Sequence, residues 1–461
     1  MQENKMGVMP VKKLIVNMSV PMMISMMVQA LYNVVDSIFV SMISENALTA
    51  VTIAFPMQDL MISIASGTGV GINALLSRAL GEKEYEKSDE AANTGVLLAL
   101  ISAAVFLIIG LTCTAPYVNS QTADPEIRQL DYSYVSIVTV ISIGIFMQIT
   151  FERLLQSTGR TLLSMVSQLT GAIINIVFDP ILIFGIGPFP KMGVAGAAYA
   201  TVMGQCIGAC LGLFMNLRFN KEIHFSLKKM LHPHLKVVGR IYAVGIPTII
   251  MMAIGSVMTY CMNLILKAFS STAIAVFGAY FKLQSFFFMP VFGLNNGMIP
   301  VLAYNLGAEK KERIDESLKF AMKLAICIML CGTAVFELFP NQLLSLFSPS
   351  KEMLRMGVPA LRTIAIHFPV AAMGIVMGST FQAFSRSIYS LLVSLGRQLI
   401  ILIPAAWLLA QTGNVNNVWW SFLIAEGVSF VLSLTFYKKV YREEITERFA
   451  KADQKNTAAQ K

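Results

Sequence analysis

Long apolar stretches follow one another along almost the whole chain, with little between them. Read at about 20 mostly apolar residues per crossing, they fall at 14–41, 48–77, 91–112, 131–155, 161–185, 193–216, 241–266, 273–303, 316–338, 357–383, 387–410 and 417–437. In lipid every backbone polar group must be satisfied within the protein, which makes helices of runs this long. The expected fold is an all-α polytopic membrane protein with twelve transmembrane helices.

Composition agrees with that reading. The chain has 461 residues, 56% of them hydrophobic and 13% charged, with a mean hydropathy of +0.66. Soluble domains carry about a quarter charged residues. The net charge of +9 sits in short connections between apolar segments, a topology signal that speaks against nucleic-acid binding. With the N-terminus placed in the cytoplasm, 27 of the 35 lysines and arginines fall on the cytoplasmic side and six on the outer side. Both termini are therefore expected inside an inner membrane, with an even number of crossings. The first apolar run is too long for a signal-peptide core.

The six cysteines lie inside apolar segments and form no C-x-x-C pair. Cys206 and Cys210, one helical turn apart among glycines and alanines, read as packing residues. Three of the four histidines (His224, His232, His234) fall in the polar stretch 218–240, which argues against a histidine-rich metal centre. No phosphate-cradling loop and no Ser/His/Asp order stands out, so an enzyme is not expected.

The chain divides into two similar halves at a gapless offset of 226. Pro21 falls on Pro247, Gln58 on Gln284, Gly67 and Gly71 on Gly293 and Gly297, and Gly81 on Gly307. Gln156, Arg160 and Ser164 fall on Gln382, Arg386 and Ser390. Six helices per half make the repeats parallel, an arrangement of transporters. The expected organisation is a six-helix lobe over 1–217, an amphipathic link over 218–240, a second six-helix lobe over 241–440 and a polar tail over 441–461.

Ionisable residues inside the membrane are candidates for function. The first half supplies Asp36, Asp59, Asp179 and Glu152, and the second Lys282, Glu337, His367, Arg397 and Glu426. Asn175 and Asp179 are four apart and share a helix face. Pro180 follows and leaves the carbonyl of Ile176 without its helical partner. Carboxylate, amide oxygen and free carbonyl suit Na⁺ or a proton relay and suit soft thiolate metals poorly. Thr201 on the sixth span adds a hydroxyl. His367, beside Phe368 and Pro369, reads as structural. Glu426 reads as an interhelical bond, and Glu337 and Arg397 as interface residues whose charged ends reach toward water. Lys282 and the aromatic run "QSFFFMP" face either the interior or lipid.

Three stretches then become informative together. "PMMISMMVQALYNVVDSIFVS", "NIVFDPILIFG" followed by "GVAGAAYAT", and "PVLAYNLGA" resemble the multidrug and toxic compound extrusion (MATE) family over about 14–440. The resemblance implies two pseudo-symmetric six-helix lobes around a central cleft, for which a single chain would suffice as the working unit. It implies export of bulky, often cationic or amphipathic drugs in exchange for H⁺ or Na⁺, with no organic cofactor. It places the cation site at Asp36, Asn175, Asp179 and Thr201, with Na⁺ as one cation those four would hold. It places a helix bend at Pro21 and drug contacts at Gln29 and Tyr32. Gln58, Asp59, Met147, Phe151, Gln284 and Phe287 are assigned to the same drug-binding set. Met262 stands at the repeat position of Asp36, so no matching cation site is expected in the second half. The competing reading is a lipid or lipid-linked sugar flippase of the same superfamily shape. The acidic character of the candidate lining, Lys282 apart, favours cationic drugs.

Overall fold

The computed structural model describes residues 4–347 and 349–450, and every regular element among them is helical. In chain order the long helices are α1 (Val11–Ser41), α2 (Glu45–Gly81), α3 (Tyr85–Thr112), α4 (Pro125–Val140 with Ile143–Ser157), α5 (Thr161–Phe184), α6 (Val194–Phe219), α7 (Leu235–Lys267), α8 (Ser271–Gly307), α9 (Lys311–Leu338), α10 (Lys351–Ala365 with Phe368–Ala383), α11 (Ser387–Ala410) and α12 (Val415–Ala450). Ten are single helices long and apolar enough to cross a membrane. The pairs in α4 and α10 are bent by 46° and 48°, and counting each pair as one span brings the total to twelve.

The 226-residue offset is visible in the backbone. Ser44 and Ser270 both cap a helix, each hydroxyl accepting from a backbone N–H three residues on, Ala47 at 3.0 Å and Ala273 at 3.1 Å. The turns after α2 and α8 place Lys83 and Glu309 at φ 61° and 56°. Those after α4 and α10 place Gly159 and Ser385 at 84° and 59°. A side chain in this left-handed region costs about 1 kcal/mol, so its use at matching places marks a shared turn. The breaks in α4 (Ile141–Ser142) and α10 (Ile366–His367) also correspond to within one residue.

Two compact units result. One takes the described residues of Met1–Met23 and Ile246–Lys461, the other is Ile24–Gly245. This differs from the lobes expected over 1–217 and 241–440, and glycine packing supplies the reason. In the first unit the opening of α1 lies on α8 so closely that a Cβ added to Gly293 would stand 2.5 Å from Met23 Cα. One added to Gly297 would stand 2.7 Å from Ser19 Cα. In the other unit the opening of α7 lies on α2, with the Ile241 backbone against Gly71 and Gly245 against Gly67. Only glycine permits such approaches, the usual purpose of a GxxxG pair. Each unit therefore takes the first segment of the helix that opens the other half of the sequence.

Polar contacts fasten both arrangements. Arg313 Nη2 donates to the carbonyls of Met6 and Met9 at 3.0 and 2.7 Å, and Asn305 Nδ2 donates to Met6 at 3.1 Å. Between the end of α6 at Phe219 and the start of α7 at Leu235, the stretch 218–240 is helical only at Leu227–Leu231. It packs on the start of α3, where Asn93 Nδ2 donates to the His224 carbonyl (2.9 Å) and Asn93 Oδ1 accepts from Ser226 N–H (2.8 Å). It is thus part of the unit Ile24–Gly245.

Candidate functional site

Close packing of α5 on α6 sets up the interior cluster of the unit Ile24–Gly245. A Cβ on Gly204 would lie 2.5 Å from the Gly171 carbonyl oxygen, so the two backbones touch there. Asn175 and Asp179 follow Gly171 by one and two turns of α5, and Thr201 precedes Gly204 by three residues on α6. All three are buried, at 2%, 0% and 6% exposure. The Asn175 amide is oriented by its partners. Its Nδ2 donates to Asp179 Oδ2 at 3.3 Å, and its Oδ1 accepts from Thr201 Oγ1 and Thr201 N, both at 3.1 Å.

Asp36 reaches the cluster from α1. Its carboxyl lies against that of Asp179, and its buried Oδ1 has no hydrogen-bond partner among the described residues. Two carboxylates in contact at low dielectric repel strongly, and a proton or a small cation between them removes the repulsion. Gln29, Tyr32 and Asp36 are spaced three and four apart, which puts them on one face of α1. Tyr32 stands near both carboxyls, and Gln29 Oε1 accepts from Gln168 Nε2 at 3.1 Å.

The network continues through Tyr134, a residue the sequence reading passed over. It is 1% exposed. Its hydroxyl accepts from Gln58 Nε2 at 3.0 Å and neighbours Thr201. The available signal was a phenol inside an apolar span, where its O–H requires a partner. Asp131, also passed over, is 0% exposed with neither carboxyl oxygen partnered among the described residues.

The remaining assigned residues are dispersed. Asp59 is half-buried, and among the described residues no hydrogen bond or ion pair joins it to this network. Met147 borders the apolar core. Phe151 is 3% exposed, its ring edge-on to Phe225 at 6.5 Å, and so is core packing in this structure. Glu152, 6% exposed, accepts from Gln148 Nε2 at 3.0 Å. Gln284 and Phe287 belong to the other unit, where Phe287 packs edge-on to Phe336 at 5.9 Å.

In that other unit Met262, at the repeat position of Asp36, is fully buried. His367 packs among Phe288, Phe368 and Phe422. Glu337 pairs with Arg362 at 3.9 Å on the surface. Lys282 is exposed. Arg397, expected at an interface, instead pairs with Glu426 of α12, Nη1 to Oε2 at 3.4 Å. Buried Glu426 supplies the reason, because its charge needs a counter-charge inside the bundle.

Comparison with known proteins follows the same architecture. The MatE family model matches residues 21–181 and 247–408. The chain is similar to the multidrug export protein MepA of Staphylococcus haemolyticus (strain JCSC1435), 25% identical over 423 residues and 92% of each chain. It is 24% identical over 420 residues to MepA of Staphylococcus aureus (strain MSSA476), covering 91% of this chain and 92% of that one. The outward-facing conformation of a multidrug resistance MATE family transporter of the MOP superfamily superposes with a TM-score of 0.90 at 25% identity, over 96% of this chain and 99% of the other. A MATE crystal structure in the bent conformation shares the fold with a TM-score of 0.89 at 24% identity, over 98% and 99%.

Proposed function

The chain belongs to the MatE family, and from that premise we propose that it is a multidrug exporter driven by inward flow of H⁺ or Na⁺. It moves bulky, often cationic or amphipathic compounds outward by alternating access and works as a single chain. Both termini face the cytoplasm, a reading supported by the 27-to-6 division of basic residues. The MepA relatives are named for multidrug export, which supports the substrate class.

The observation that carries the coupling is the meeting of Asp36 with Asp179, Asn175 and Thr201 in one buried cluster. A cation arriving from outside quiets the repulsion between the two carboxyls and draws the Asp36 segment of α1 toward α5. Gln29 and Tyr32 share that segment, so a drug held by them and by Gln58 feels the same movement. Pro21 is where α1 yields, because a proline inside a helix removes one backbone hydrogen bond. Cation and drug then favour different states, and a coupling of about 1–3 kcal/mol between them defines the exchange.

The test is ethidium efflux from cells expressing Asp36→Asn or Asp179→Asn, with protein levels matched. Loss of efflux in both is expected, and full efflux in both would overturn the coupling assignment. Proteoliposomes given a Na⁺ gradient or a pH gradient separately identify the driving ion.

A further inference from the structure

We propose that the unit running on from Ile246 holds a second ligand site, built for a small zwitterion with an apolar body. This goes beyond the coupling scheme and does not depend on it. A cavity of about 250 Å³ opens among α7, α8, α10, α11 and α12. That is room for on the order of ten non-hydrogen atoms at interior packing density.

Arg397 and Glu426 both line it. Their contact is a single one at 3.4 Å, longer than the charge-assisted bonds of about 2.7–2.9 Å that such a pair forms at its best. The Arg397 side chain is 30% exposed and that of Glu426 6%, so the guanidinium keeps donors turned to the cavity. Two further lining groups, Asn295 Oδ1 and Gln382 Oε1, are buried acceptors that receive no hydrogen bond from the described residues. Met252 and Phe292 supply apolar wall. The stretch Gly396–Leu402, which carries Arg397, is wound as a π-helix, a departure from α-geometry frequently found at functional sites.

Charge balance selects the ligand. A lone cation taken by Glu426 leaves Arg397 uncompensated, and a lone anion taken by Arg397 does the same to Glu426. A zwitterion replaces both partners at once. Its carboxylate meets the guanidinium, while its ammonium meets Glu426 and the amide oxygens of Asn295 and Gln382.

Three compounds that share one apolar body test this: L-phenylalanine, phenethylamine (cation only) and 3-phenylpropanoate (anion only). Their equilibrium binding to the purified full chain in lipid nanodiscs requires no ion gradient, so the result is separable from failure of the export reading. Phenylalanine is expected to bind roughly tenfold or more tightly than either analogue. Arg397→Gln and Glu426→Gln should each remove that margin. Equal affinity for the three compounds, no saturable phenylalanine binding up to about 10 mM, or a margin that survives both substitutions overturns the proposal. The ligand series on the unaltered chain decides the matter even where a variant folds poorly.

Discussion

Asp131 carries a carboxyl at 0% exposure with neither oxygen partnered among the described residues, so its surroundings work against its charge. Replacing it by the neutral isostere should relieve that cost. Asp131→Asn is expected to raise the melting temperature of the purified protein, by an amount equivalent to about 1–3 kcal/mol. A lower melting temperature would show that an unseen partner holds the carboxylate. Thr201 makes the opposite demand, since its hydroxyl donates to the Asn175 oxygen at 3.1 Å. Thr201→Val should cut ethidium efflux several-fold while Thr201→Ser retains it; equal efflux in the two variants would remove Thr201 from the cluster. Asp36, Asn175 and Asp179 were legible because charge inside an apolar run is conspicuous and i, i+4 spacing sets a helix face. Thr201 was legible as a hydroxyl on the neighbouring span, and family resemblance added its place in the cation site. Tyr134 and Asp131 were hidden because "LDYSYVSIV" begins a span, where polar residues read as interface, and because the Tyr134 partner Gln58 lies 76 residues away.

Among elements, the contact of α5 with α6 controls the cluster. Gly204→Val would push its side chain into the Gly171 carbonyl and separate Asn175 from Thr201. A thermal-shift measurement should register a loss of about 1–3 kcal/mol, the usual range for overpacking, and efflux should fall with it. Hydropathy alone predicts unbroken helices over the spans 131–155 and 357–383. In α10 the break precedes a proline, Pro369, at the start of the following segment. In α4 no proline marks it, and Ser142 at the break donates instead to the Ala103 carbonyl at 3.3 Å. Hydropathy is blind to such a turn. It is equally blind to which helices become neighbours, which is why Arg397 looked like an interface residue while its partner stood 29 positions on. In both halves the fifth and sixth helices of the repeat carry the polar groups. Asp179 makes one set acidic, with Thr201 a neutral hydroxyl beside it, whereas Arg397 and Glu426 make the other balanced.

At the scale of the whole molecule, the two unit boundaries fall inside α1 and α7, at Met23/Ile24 and Gly245/Ile246. Pro21 and Pro247 stand within two residues of them. Pro21→Ala should leave the protein folded, with a melting temperature close to the parent, yet lower efflux by roughly tenfold if α1 must yield there. Unchanged efflux would place the bend elsewhere. The repeat offset made both prolines visible in advance. The exchange of opening segments was not visible, since Gly67/Gly71 and Gly293/Gly297 announce a close approach without saying which helix approaches.

That exchange also governs the order in which the protein can be completed during synthesis. Met23 meets Gly293 across about 270 residues of chain, and ribosomes add about 5–20 residues per second. The opening of α1 therefore waits in the bilayer for tens of seconds with its glycine groove unmade, while the opening of α7 emerges to find α2 ready. The unit that ends at Gly245 closes first, and the chain's earliest segment is among the last to be seated.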